Sequence, residues 1–297
     1  VPALFWPVAA GLAGLVGWAF WPSLAAAADR WATDPQYSHG YLVPAFSAYL
    51  LWSRRRLLGG AAVRPADLAA GFGLLAAGTG LRWFGTVFFY NGLDLLALLP
   101  TLAGAALVAG GRPALRWAWP AVLFLAFMVP LPFQFQTALA GRLQRAATVT
   151  STFALQTVGT PAVAEGNVIL IDDDRVEVAE ACSGLGMMVT FAALAFALAL
   201  VVRSALWVRV LLVFGALPVA VAANVLRIAA TGLFFHLHYG EAARAVFHDL
   251  AGWLMMPVGA ALLLAERSVL DRLVVDADDP DARRGGPLPI LARPAAR

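Results

Sequence analysis

Glu180-Ala181-Cys182-Ser183-Gly184-Leu185 leads directly into Met187-Met188-Val189-Thr190-Phe191-Ala192-Ala193-Leu194-Ala195-Phe196-Ala197-Leu198-Ala199-Leu200-Val201-Val202. No charge interrupts the chain from Leu185 to Val202. As a helix this run is about 27 Å long, close to the ~30 Å hydrocarbon core of a bilayer. On its N-terminal side the character is opposite. Val163–Ile171 and Val176–Ala181 are rich in β-branched residues, with Asp172, Asp173 and Asp174 between them. That pattern predicts a small β-hairpin outside the membrane. A polar hairpin therefore meets a membrane helix, and the only cysteine of the chain stands at the junction.

Similar apolar runs recur over the whole chain of 297 residues, which is 61% hydrophobic and only 13% charged. With a mean hydropathy of +0.76, this composition excludes an ordinary soluble domain. It predicts an all-α fold, a polytopic transmembrane helical bundle of about eight spans. The spans are Leu4–Leu24, His39–Trp52, Leu68–Phe84, Leu93–Ala109, Leu115–Pro132, Ser183–Val202, Leu206–Phe235 and Leu250–Glu266. The seventh is long enough to leave the bilayer or to break near Pro218. Together they make one transmembrane domain over 1–275, followed by a disordered cytoplasmic tail over 276–297, rich in Asp, Pro, Gly and Arg. The first span reads as an anchor and not as a cleaved signal. No internal repeat is visible.

Every basic residue is an arginine. A sequence pI near 9.5 would suggest an acidic partner in a soluble protein; here the arginines mark topology, and no nucleic-acid partner is expected. Arg54, Arg55, Arg56 and Arg64 follow span two, Arg112 and Arg116 separate spans four and five, Arg203 and Arg209 separate six and seven, and Arg267 and Arg272 follow span eight. Placing these inside puts both termini in the cytoplasm. The outer connections are then Ala25–Ser38, Gly85–Gly92, Phe133–Cys182 and His236–Asp249. Within the long third connection, Gly141–Gln156 predicts an amphipathic helix on the membrane, with Arg142 and Arg145 towards headgroups.

Three side chains stand out at the outer surface. Cys182 has no partner for an intramolecular disulfide, and no ligand spacing supports a metal or other cofactor. It is either a small buried filler or a thiol activated at a helix N-terminus, with Ser183 as N-cap. Arg227 lies inside an apolar span, a costly position that marks function by default; snorkelling is the alternative. Asn224 and Thr231 share its helical face. His248, at the mouth of span eight, is a candidate proton carrier, with His236 and His238 as competitors. A thiol, a base and a guanidinium at one depth form the inventory of a thiol acyl-transfer enzyme. Asn224, His39, Glu180 and Ser183 are the candidate supporting or substrate-binding residues.

Tyr37-Ser38-His39-Gly40-Tyr41-Leu42-Val43-Pro44, Tyr49-Leu50-Leu51-Trp52, Glu165-Gly166-Asn167, Glu180-Ala181-Cys182-Ser183-Gly184-Leu185, Ala223-Asn224-Val225-Leu226-Arg227-Ile228 and His248 before Gly252-Trp253 occur in that order. In these motifs the chain resembles the exosortase/archaeosortase family of integral-membrane cysteine transpeptidases. It departs from many members at Gly186-Met187-Met188. The resemblance implies catalytic roles for Cys182, Arg227 and His248 at the extracytoplasmic face of the inner membrane. It also implies membrane-anchored protein substrates whose C-terminal sorting signal combines a Pro-Glu-Pro-type motif, a helix and an arginine cluster, in connection with exopolysaccharide and biofilm matrix. A transporter, or a scaffold for polysaccharide export, is the competing class of reading. A transporter usually shows broken helices or repeated halves at mid-membrane, and this chain shows no repeat.

Overall fold

Helices follow the apolar runs, and short polar turns close them. The computed structural model of the chain describes residues 4–58, 63–88, 91–130, 133–172, 174–178, 184–202, 206–237, 257–270, 274–276 and 291–293. They fall into two compact units, 1–137 and 138–297.

The first unit opens with α1 (Phe5–Ala19) and α2 (Trp21–Thr33), bent by 67° at Phe20. The single span expected over Leu4–Leu24 is therefore broken, and the helix runs into the stretch expected as an outer connection. Pro22, in the first turn of α2, has no N–H to continue α1. Arg82 repairs the break: it donates to the Ala19 carbonyl at 2.6 Å, covers the Phe20 ring at 4.6 Å and pairs with Asp94 at 3.2 Å. Ser23 donates to the same carboxylate.

A 3-10 segment, Pro35–Tyr41, precedes α3 (Leu42–Ser53). Residue 39 thus lies ahead of the helix and not at the start of a span. A second 3-10 turn, Arg55–Leu58, leads to α4 (Pro65–Val87) and α5 (Asn91–Phe124), and a third, Leu125–Met128, follows. The helix α5 is interrupted at Gly110 and Gly111; Gly111 holds φ +66° and ψ −159°, where a side chain is strained. Before the break α5 lies against α4. A Cβ on Gly104 would come within 2.7 Å of the Gly71 carbonyl, and Gly78 faces Ala97 and Thr101. Small residues permit this close approach, and the neighbours Gly73 and Gly80 face open space. After the break α5 lies against α3: Ser47 donates to Ala121 O at 3.1 Å, and Trp117 Nε1 to Leu51 O at 2.7 Å. A Cβ on Gly92 would lie 3.5 Å from Pro130 O, so the two ends of this stretch meet. It is a helical hairpin with Gly110-Gly111 as its turn.

Most of α6 (Phe133–Thr157) belongs to the second unit, and the helix begins eight residues before the amphipathic helix expected at Gly141. Its buried positions, Gln136, Ala140, Ala147, Thr148, Ser151, Thr152 and Leu155, form one stripe. Three strands follow: β1 (Ala162–Glu165), β2 (Val168–Ile171) and β3 (Asp174–Glu177), in antiparallel order β1-β2-β3 with Val163 opposite Leu170 and Ile169 opposite Val176. The expected hairpin is present as β2 and β3, with Asp172 in its turn, and a third strand extends it. Val163–Ile171 is itself two strands, because Gly166 at φ +62° turns the chain.

The helix α7 (Leu185–Val201) packs on α8 (Leu206–His236) and on α9 (257–270) through Phe191, Ala195, Ala216, Ala220, Ala223 and Leu263. Gly184, at φ +86°, occupies the cap position of α7 in place of the expected Ser183. The helix α8 runs unbroken through Pro218. Helix α9 extends past Glu266; the start of span eight at Leu250 lies outside the described residues. From the expected disordered tail Asp276, the last residue of β4 (Val274–Asp276), and Leu291–Arg293 (β5) are described, and the two strands pair in parallel.

Among the described residues, Gly92–Met128 and Leu206–His236 are long and apolar enough to cross a membrane, and the bent pair α1–α2 makes a third candidate. The chain is mostly helical with one small three-stranded sheet.

Candidate active site

The C-terminal half of α8 carries Arg227, the arginine that sequence reading singled out within an apolar run. Arg227 Nη2 donates to Asn224 Oδ1 at 2.8 Å, one helical turn earlier. Asn224 is only 2% exposed. A charged donor on an amide carbonyl makes a strong hydrogen bond, and it gives the half-buried guanidinium a partner that carries no charge of its own. Thr231 shares the helical face, as expected, but its hydroxyl donates back to the Arg227 carbonyl at 2.9 Å. The polar stripe is thus an Asn–Arg pair, and Thr231 closes on its own helix.

Asn224 also reaches a second element. A Cβ on Gly184 would lie 2.9 Å from Asn224 Nδ2 and 3.1 Å from its Cγ. Gly184 therefore satisfies two demands at once: a left-handed backbone and a flat contact with the amide. It is the second residue after Cys182.

On the neighbouring face of α8, Ile228 enters an apolar cluster with Ala147 and Leu155 of α6, Ala162, Ile169 and Ile171 of the sheet, and Val178. Gly232 lies beside Ile171 and Leu155. Val178 N–H donates to Asn167 O at 2.9 Å, and Gln144 Nε2 donates to Val178 O. At the tip of α8, His236 Nδ1 lies 2.6 Å from Asp172 Oδ2 in the β2–β3 turn. This pair ties the sheet to α8. His236 had been a competitor of His248, and its ring is engaged here.

His39 belongs to the first unit. It is 3% exposed, and its Nε2–H donates to the Phe127 carbonyl at 3.1 Å. Burial lowers its pKa below the ordinary histidine value, only partly offset by the Phe127 and Gln36 backbone. Nearby, Tyr37 donates to Gln136 Oε1 at 3.0 Å.

Of the residues expected at the site, Arg227, Asn224 and His39 are described. Cys182, Glu180, Ser183 and His248 lie outside the described residues, as does His238. Sequence reading missed Gln144 and the Asp172–His236 pair. Gln144 gave no signal, because its partner is a backbone carbonyl that no motif encodes. Asp172 was read only as a turn residue. Among the described residues, no group of three His, Cys, Asp or Glu side chains is placed to hold a metal ion.

No curated protein and no solved structure matches the chain. The transmembrane exosortase family matches it over residues 31–265. That interval begins at the buried Trp31, includes the Gly184–Asn224–Arg227 contact and ends within α9, so the chain belongs to the transmembrane exosortase family.

Proposed function

We propose that this exosortase cleaves the C-terminal sorting signals of exported, membrane-anchored proteins through Cys182. Family membership implies a role in sorting PEP-CTERM proteins, and the family is regarded as one of cysteine transpeptidases. The Arg227–Asn224–Gly184 contact is the observation that carries the reading to particular residues. Two residues of chain reach at most about 7 Å, so Cys182 is tethered close to the Asn224 amide whatever its conformation.

In the proposed reaction the Cys182 sulfur attacks the scissile carbonyl and forms an S–C bond in a tetrahedral intermediate, whose collapse breaks the C–N bond and leaves a thioester. The thiol proton passes through His248 to the leaving amine. Arg227, oriented by Asn224, stabilises the oxyanion of the tetrahedral intermediate. Water or an amine then attacks the thioester, delivers its proton through His248 and restores the thiol. Water yields a free acid and an amine yields a new amide. Glu180 and Ser183 flank the nucleophile, and His39 holds its own unit together through Phe127.

Eight spans with both termini inside remain our reading of the topology. The α5 hairpin supports it, because one long apolar stretch then crosses twice. The length of α8 supports it as well: Arg209 and Arg227 are separated by about 27 Å of helix, which puts one at each boundary of a ~30 Å core.

The test is co-expression with a secreted reporter that ends in a Pro-Glu-Pro-type motif, a helix and an arginine cluster. Cys182→Ala is expected to abolish processing while leaving membrane insertion intact. Undiminished processing by that variant overturns the proposal.

A further inference from the structure

On the inner face of α6, one turn after Ala140 and one turn before Thr148, Gln144 turns its amide towards the sheet and donates to the Val178 carbonyl. Removing an amide from water is unfavourable unless its groups are paired. The acceptor explains the choice. β3 is an edge strand, so carbonyls along its outer side have no ladder partner. Val178 follows it immediately, is 1% exposed and belongs to the Ile228 cluster. Its N–H is held by Asn167 O and its carbonyl by Gln144.

Val178 is also the departure point of the chain that carries Cys182, and Gly184 is where that chain rejoins a described helix. The two points relate to positions of α8 one turn apart, Gly184 by contact and Val178 by a shared apolar cluster. Ile228 shares a cluster with Val178, and Asn224 touches Gly184. Arg227 stands between Asn224 and Ile228 in the sequence of α8. The apolar contact fixes the depth of Val178 but not its rotation or its slide along α8, because hydrophobic contacts are non-directional. The Gln144 hydrogen bond is directional.

We propose that Gln144 is a positioning residue for the thiol chemistry: by holding the Val178 carbonyl it sets where the cysteine segment leaves the sheet relative to Arg227. The inference rests on Cys182 as nucleophile. Gln144 touches neither thiol nor substrate in this role.

The chain has a single cysteine, so alkylation of the wild-type background reports on Cys182 alone and requires no substrate. Gln144→Met keeps the length of the side chain and removes the donor. Gln144→Glu keeps the shape and replaces the donor with an oxygen. Both variants, purified as full-length protein in detergent, are measured for folded yield, for the pH profile of iodoacetamide alkylation and for reporter processing. The expected result is wild-type folded yield, an alkylation rate changed at least threefold with a displaced pH profile, and processing reduced at least tenfold in kcat with KM little changed. Wild-type alkylation and processing in either folded variant overturn the proposal. So does a loss of processing that only follows a loss of folded protein, or a failure of both variants to fold, since the bond then serves the fold and not the thiol. Processing that survives Cys182→Ala defeats the proposed function instead, and the alkylation profiles still decide whether Gln144 places the thiol.

Discussion

At the scale of single residues, the polar groups on α8 are few and each has a definite partner. Arg227 and Asn224 form a pair in which one group is charged and the other positions it. Lysine at 227 keeps the charge but loses the planar fork. Arg227→Lys is therefore expected to lower reporter processing by about 10²-fold, the scale seen when one oxyanion donor is removed, without loss of membrane insertion. Near wild-type processing would show that charge alone suffices. Gly184→Ala meets two penalties, the left-handed backbone and the Asn224 amide. It is expected to cost about 1–2 kcal/mol from the backbone alone, read as a lowered melting temperature together with reduced processing. Equal stability would mean that the cap adopts another conformation without cost. His39 adds a pH dependence. Its folded-state pKa is lowered, so the unfolded chain, with an ordinary value of about 6.5, binds the proton more readily. Its contribution to stability is full above that value and declines as pH falls below it. The melting temperature is expected to fall between pH 7.5 and pH 5, and less so in His39→Asn. An equal fall in both proteins would remove His39 as the cause.

At the scale of elements, the reach of the sequence follows from the range of each interaction. The apolar runs gave the helices because burial in lipid or protein needs only composition and period. The motif residues Asn224 and Arg227 were legible as a pair because i and i+3 share a helical face, and they do bond. The sheet was half legible. Its β-branched content was visible, but the turn at Gly166-Asn167 was absorbed into one long strand, since Glu165-Gly166-Asn167 lies within an otherwise strand-like run. The break at Phe20 was missed for a similar reason. Pro22 marks the break locally, but the side chain that satisfies the freed Ala19 carbonyl is Arg82, 63 residues away in sequence and invisible to any local window. The sheet's docking on α8 depends on long-range contacts of the same kind, namely Ile169 with the Ile228 cluster and Asp172 with His236. Ile169 is fully buried, so Ile169→Ala is expected to destabilise the protein by about 2–5 kcal/mol. Asp172→Asn, at a partly exposed pair, is expected to cost far less. Both losses can be measured by thermal or denaturant unfolding in micelles. A larger loss for Asp172→Asn would mean that the polar tie, and not the apolar cluster, fixes the sheet.

At the scale of the whole molecule, the question that decides where the site faces is how often the chain crosses the bilayer. Arginine placement predicts alternation over eight spans, whereas α5 by continuity alone is one apolar stretch over Gly92–Met128. Taken as a single rod, that stretch of 37 residues would be about 55 Å long, far beyond a ~30 Å core. Folded at Gly110-Gly111 it fits twice. The difference changes parity and can therefore be measured. Between Val63 and Glu165 lie α4, α5 and α6. If α5 crosses twice and α6 lies on the surface, the two positions are on opposite sides of the membrane; if α5 crosses once, they are on the same side. Both residues are exposed. In a Cys182→Ser background, Val63→Cys is expected to react with an impermeant maleimide only after the cells are permeabilised, while Glu165→Cys reacts in intact spheroplasts. Thr33→Cys, also exposed, is expected to react with Glu165→Cys, since α3 separates it from Val63. Labelling of Glu165→Cys together with Val63→Cys, and apart from Thr33→Cys, would put the sheet that leads to Cys182 on the cytoplasmic side. A thiol there would meet no exported substrate after translocation, and the proposed sorting reaction would fail with the topology that supports it.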